Sequence, residues 1–126
     1  MANVGERMVG DGGGSIINIT SVASQRPSPH AEPYGAAKAG LNALTRSFAS
    51  ALGPTVRVNA IIAGPFLTDI SKAWDLEAFG KQAEQTVAAQ RGGEPEEIIG
   101  AALYLASRSS GFTTGALLNV DGGARI

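Results

Sequence analysis

Apolar residues follow two rhythms along this chain. The first is a set of short, unbroken runs: Ile16 to Thr20, Val56 to Ile62 and Leu117 to Val120. Short runs rich in β-branched residues predict strands buried on both faces, as in a parallel sheet. The second is a helical period. From Tyr34 onward, Ala37, Leu41, Leu44, Phe48 and Leu52 recur every three or four positions, and Gly53-Pro54 stops the pattern. Residues 2–9 predict the last turns of a helix, and 71–90 one or two helices with Trp74, Leu76 and Phe79 as their apolar points. Glu94-Pro95-Glu96-Glu97 predicts a helix start, with proline in the first turn and acids near its positive end. Ile98, Ala102, Leu103 and Ala106 are the expected buried stripe of that helix, and Gly111 lies beyond its end. Pro27, Pro29 and Pro33 make residues 22–33 a loop, with Pro33 suited to the first turn of the helix that follows.

Strands that alternate with helices imply an α/β fold, three parallel strands with flanking helices. The 126 residues are read as a single domain, 1–126. The 17 glycines suit a fold with many tight strand–helix turns. A net charge of −1 gives no electrostatic footprint for nucleic acid or an anionic membrane. There is no cysteine, which removes disulfide and thiolate chemistry. With one histidine besides, no metal site is expected. No apolar run approaches the ~20 residues of a membrane span, and the N-terminus lacks the apolar core of a signal peptide. The expected location is cytoplasmic.

The candidate chemistry centres on Ser21, Tyr34 and Lys38. Residues four apart on a helix share a face, so Tyr34 and Lys38 are neighbours. An ammonium close to a phenol stabilises the phenolate, which makes the phenol a better acid. Ser21, at the end of the first predicted strand, adds a small hydroxyl able to hold a substrate oxygen beside that phenol. Alone, a tyrosine and a lysine at this spacing describe an ordinary solvated helix face. His30 is expected to face solvent in its loop, and Asp121-Gly122-Gly123 to form a tight turn.

Four blocks resemble the short-chain dehydrogenase/reductase family. Gly14-Ser-Ile-Ile-Asn-Ile-Thr-Ser21 is similar to the strand that ends in that family's active serine. Tyr34-x-x-x-Lys38 follows at the family's spacing. Val56-Arg-Val-Asn-Ala-Ile61 with Ala63-Gly64-Pro65-Phe66-Leu67-Thr68 resembles its next strand and nicotinamide-side loop. Gly115-Ala-Leu-Leu-Asn-Val-Asp-Gly-Gly123 resembles its last strand and C-terminal turn. Together they cover nearly the whole chain, in the family's order.

The resemblance implies a partial Rossmann-like fold and an NAD(P)-dependent oxidoreductase. Such an enzyme interconverts a secondary alcohol and a ketone, or reduces a 3-oxo thioester. It implies that Tyr34 gives or takes the proton and contacts the cofactor, that Lys38 binds the nicotinamide ribose and supports the phenolate, and that Ser21 polarises the carbonyl. It also implies that Gly64, Phe66 and Thr68 meet the nicotinamide carboxamide and nearby phosphate. The alternative for Thr68-Asp69 is a helix cap.

Family members are about twice this long and carry a glycine-rich turn between their first strand and helix. Gly10, Gly12, Gly13 and Gly14 precede a strand instead and are read as a loop. The chain is therefore read as the C-terminal half of such an enzyme, with NAD or NADP left open. The alternative is a truncated, inactive fragment or an interaction remnant. Trp74 and Phe79 fall where the family has its substrate lid; lining a pocket and packing a helix are both open to them. The small residues Gly35, Ala36, Ala39, Gly40 and Ala43 point to homo-oligomerisation through that helix, or to close packing on the chain's own sheet.

Overall fold

A computed structural model describes residues 1–26 and 29–124. Pro27, part of the predicted loop, lies outside the described residues. In chain order the elements are α1 (Ala2–Gly10), β1 (Gly14–Ser21), α2 (Glu32–Leu52), β2 (Val56–Ala63), α3 (Leu76–Thr86), α4 (Ile99–Ala106) and β3 (Leu117–Val120). Short 3-10 turns follow β1 and lie before α3, before α4 and after α4. Among the described residues the strands form one parallel sheet in the order β1-β2-β3, the expected α/β architecture.

The sheet is built around β2. Val58, Ala60, Ile61 and Ile62 are fully enclosed, because β2 has a strand on each side and helices over its faces. Successive strand residues point to opposite faces, and the contacts follow that rule. Ile16 and Val58 pack with Phe48, Ala49 and Leu52 of α2 and with Met8 of α1. The neighbouring residues Ser15 and Arg57 turn the other way and donate to the Leu105 carbonyl of α4, at 2.8 and 3.0 Å. Helices therefore cover both faces, α1 and α2 on one and α4 on the other.

Three details depart from the sequence reading. In α2, Ala37 is exposed and Leu44 nearly half exposed. Its inner stripe instead includes Thr45, fully buried, whose hydroxyl donates to the Leu41 carbonyl at 2.8 Å and accepts from Asn18 Nδ2 at 2.9 Å. In α4, Leu103 is 63% exposed and Ala106 also faces out, while Leu105 is sealed. The inner face of α4 is Ala101, Ala102 and Leu105, continued by Ile98 of the turn before it, in place of the expected Leu103 and Ala106. Finally, helix ends at Thr86: Val87 bridges to Ala124 and Gln90 takes a left-handed backbone. No helix among the described residues is long and apolar enough to cross a membrane.

Candidate active site

Parallel strands end on the same edge of a sheet, and ligands of open α/β sheets bind outside those carboxyl ends. Ser21 closes β1 opposite Ala63, which closes β2 and in turn pairs with Val120 of β3. A cleft of about 740 Å³ opens beyond these ends, lined by Ser21, Tyr34, Gly64, Phe66 and Thr68 together with Trp74 and Phe79. The structure thus gathers five of the six residues singled out in the sequence onto one cleft.

Lys38, the sixth, is not on the cleft wall. Its ammonium lies 5.6 Å from the centre of the Tyr34 ring and donates to the Ile19 carbonyl at 3.0 Å. That bond ties it to the backbone of β1 two residues before Ser21. A lysine is flexible until something holds its head group; here β1 does so, and the charge stands beside the tyrosine.

Two contacts bring α2 against the turn that follows β1. A Cβ at Gly35 would sit 2.9 Å from the Ala23 carbonyl oxygen, so glycine permits the close approach. One turn beyond Lys38, Asn42 Nδ2 donates to Ser24 Oγ at 2.8 Å. Tyr34, next to Gly35, is consequently presented to the Ser21 side of the cleft, with its ring half exposed. The Ser21 hydroxyl accepts from the Ala23 amide at 3.2 Å. That bond uses an oxygen lone pair and leaves the O–H available as a donor.

The loop after β2 is fixed just as closely. Gly64 donates its amide to the Val120 carbonyl at 2.9 Å, and a Cβ there would fall 2.6 Å from Asp121 Cα. Any side chain at 64 would push the loop off β3. Phe66 stacks on Gly93, where an added Cβ would meet the ring at 2.7 Å, and the Leu67 and Gly93 amides complete the bridge at 2.8 and 2.9 Å. Thr68 occupies the cap position of the Asp69–Ala73 turn, yet its side chain makes no cap bond. Its carbonyl accepts from Ser71 instead, so the hydroxyl is not spent on capping.

Trp74 and Phe79 serve both roles left open for them. Their rings pack at 5.2 Å between centres, tilted by 46°, and both line the cleft. His30 is an exposed loop residue whose amide donates to Glu32 Oε1 at 3.2 Å. Asp121 to Gly123 form the expected turn, with both glycines left-handed and the Gly123 amide donating to Asp121 Oδ1 at 3.0 Å. No cluster of metal-ligating side chains occurs among the described residues.

One strongly perturbed acid lies behind this loop. Arg91 grips Glu97 through both guanidinium nitrogens at 2.6 and 2.7 Å, and the Glu94 amide adds a third bond. The Arg91 hydrogen bonds, then the Glu94 amide, hold the Glu97 carboxyl down at about 2. The pair staples the Gly92-Gly93 segment that supports Phe66 to the start of the α4 region. Its exposure makes it a positioning contact more than a source of stability.

Reading residue types along the chain did not single out Arg26, Gln82 or Thr86, which also line the cleft. Arg26 lies five residues beyond a candidate active serine, the one signal that could have drawn attention to it. Gln82 and Thr86 lie one turn apart on α3 and carry no such signal.

Comparison with known proteins agrees with the fold. A family model described as enoyl-(acyl carrier protein) reductase matches residues 1–125. The 5-keto-D-gluconate 5-reductase of Escherichia coli K12 is 39% identical over 125 residues, 98% of this chain and 49% of that protein. A structure of 7 alpha-hydroxysteroid dehydrogenase complexed with NADH and 7-oxo glycochenodeoxycholic acid superposes with a TM-score of 0.90 at 34% identity. It covers 97% of this chain and 48% of that one. A gluconate 5-dehydrogenase from Burkholderia cenocepacia, in complex with NADP and tartrate, gives a TM-score of 0.88 at 36% identity over 94% of this chain and 47% of that one. The chain spans about half the length of the curated relatives it matches.

Proposed function

The chain belongs to the short-chain dehydrogenase/reductase family, and on that premise we propose that Ser21, Tyr34 and Lys38 form the nicotinamide-side proton-transfer site of an NAD(P)-dependent oxidoreductase. Its reaction is the interconversion of a secondary alcohol and a ketone, or reduction of a 3-oxo thioester. The observation that carries this reading is the convergence of Ser21 and Tyr34 on one cleft at the strand ends, with the Lys38 ammonium 5.6 Å from the tyrosine ring.

In the reducing direction the Tyr34 O–H donates its proton to the substrate oxygen. The ammonium of Lys38 stabilises the phenolate left behind, and the free O–H of Ser21 donates to the same oxygen. A nicotinamide bound there would supply the hydride. The residues present fit such a group: Gly64, Phe66 and Thr68 line the same cleft as Ser21 and Tyr34, and the Thr68 hydroxyl is not used as a cap. Gly64, Phe66 and Thr68 are assigned to its carboxamide and phosphate side, and Lys38 to its ribose. Relatives in complex with NADH and with NADP support a nicotinamide cofactor and leave the choice between the two open.

An NADH and NADPH fluorescence titration tests the cofactor site. Saturable binding is expected for the natural sequence, weakened about tenfold or more by Lys38→Ala, since a charge-assisted bond contributes about 1.5–3 kcal/mol. Equal titration curves for the two proteins, at equal helix content, would remove Lys38 from the site.

A second reading has its own observation. Among the described residues β1 pairs on one side only, and Ile19 is 48% exposed beside that open edge. An unpaired strand edge is a template for association, so the same chain read as an interaction remnant would associate there and bind neither cofactor. Homo-oligomerisation through the small-residue face of α2 and a cytoplasmic location complete the proposed reading.

A further inference from the structure

The apolar cleft carries one fixed charge. Val22, Phe66, Ile70, Trp74, Phe79 and Ala83 make up much of its wall, and Arg26 is the one charged side chain among the described residues that line it. The local fold puts it there. The turn at Val22–Ser24 follows Ser21, and the Arg26 amide donates back to the Val22 carbonyl at 3.0 Å. Gln25, its neighbour, is held by Asn119 of β3 at 3.1 Å.

Among the described residues the guanidinium has no acidic partner. Its Nη2 is buried and bonds to no described atom. The ion pairs among the described residues are Lys72–Asp69, Lys81–Glu77 and Arg91–Glu97, and none contributes an acid to this wall. A guanidinium stays charged at every working pH and presents N–H donors in a rigid planar fork. A buried donor without an acceptor is costly and uncommon. The side chain as a whole is only half-buried and lines the cleft, so the other N–H groups of the fork are left to meet what fills it.

We propose that Arg26 recognises a carboxylate on the substrate, so that this cleft takes an apolar ketone, or the matching alcohol, bearing an acid group away from the reacting carbon. The planar fork of arginine matches a carboxylate edge, and the apolar wall covers the carbon frame between the two polar ends. This inference rests on the proposed reading of the cleft as the carbonyl site.

The test uses fenbufen, an aryl ketone with a carboxylate, and its methyl ester, titrated by calorimetry into the natural sequence, Arg26→Gln, Arg26→Lys and Tyr34→Phe, with circular dichroism confirming that each is folded. The acid is expected to bind about tenfold or more tighter than the ester. Arg26→Gln is expected to abolish that preference while leaving ester binding in place, and Arg26→Lys to restore part of it. Equal binding of acid and ester by the natural sequence, weakened by Tyr34→Phe, would overturn the role of Arg26 and leave the carbonyl-site reading standing. Binding of neither compound by folded protein would overturn both.

Discussion

Tyr34→Phe is expected to slow hydride transfer between cofactor and ketone by about 10²–10⁴-fold, the usual contribution of a positioned acid–base group. The substitution removes one oxygen and keeps the ring. The phenyl group retains its place on the cleft wall and its neighbour Lys38, whose ammonium is anchored independently by the Ile19 carbonyl. Cofactor affinity should fall far less than the rate, because only the Tyr34 hydroxyl is lost while Lys38 and the Gly64 loop are untouched. Stability should persist too, since Tyr34 is half exposed and surface changes of this kind are usually within about 0.5 kcal/mol. Single-turnover kinetics separate these effects: the chemical step falls while the amplitude of cofactor binding does not. A variant that turns over within a few-fold of the natural sequence would take Tyr34 out of the proton path.

Asn59→Leu is expected to cost about 2–4 kcal/mol of folding stability, two part-buried backbone groups at the lower end of about 1–3 kcal/mol each. Asn59 is fully enclosed in β2 and bonds in both directions. Its Nδ2 donates to the Thr113 carbonyl at 2.9 Å and its Oδ1 accepts from the Ala116 amide at 3.0 Å. Leucine fills similar space and satisfies neither group. Domains of this size hold only about 5–15 kcal/mol in total, so the loss is large. It also reaches the site: the clamped segment leads into β3, and β3 carries the Asp121 backbone on which Gly64 rests. A urea midpoint unchanged by the substitution would show that Thr113 and Ala116 find other partners.

The sheet was legible because each strand is a short apolar run that no helical period explains. Gly14–Ser21, Val56–Ala63 and Leu117–Val120 coincide with the predicted runs to within two residues. The helix faces were harder to read. In α4 the sequence Ile99-Gly-Ala-Ala-Leu-Tyr-Leu-Ala106 is apolar nearly all round, and a helix without a polar face does not say which side is buried. The sheet decided instead, enclosing Leu105 and leaving Ile99 and Leu103 outside. In α2 the inner stripe runs through Thr45, a polar residue made tolerable by Asn18 on the facing strand, a pairing that sequence spacing does not reveal.

For the site, local spacing carried Tyr34 and Lys38, and a strand end carried Ser21. The anchoring of Lys38 by Ile19 and the approach of Gly35 to Ala23 are tertiary contacts, visible only once β1 and α2 are side by side. Arg26 was missed because an arginine in a loop looks solvated. Its significance comes from an apolar wall assembled largely from the loop after β2 and from α3, far along the chain. Asn59 was missed for a related reason: within Val56-Arg-Val-Asn-Ala-Ile61 it counted as part of a strand, and its two partners lie more than fifty residues on.

The most direct measurement mixes the protein with nicotinamide-deuterated NADH or NADPH and an apolar ketone, and follows the label by mass spectrometry. The account predicts deuterium on the carbinol carbon of the product alcohol, at a rate lowered by Tyr34→Phe. Folded protein that saturates with cofactor and transfers no deuterium to any of a set of ketones would contradict it.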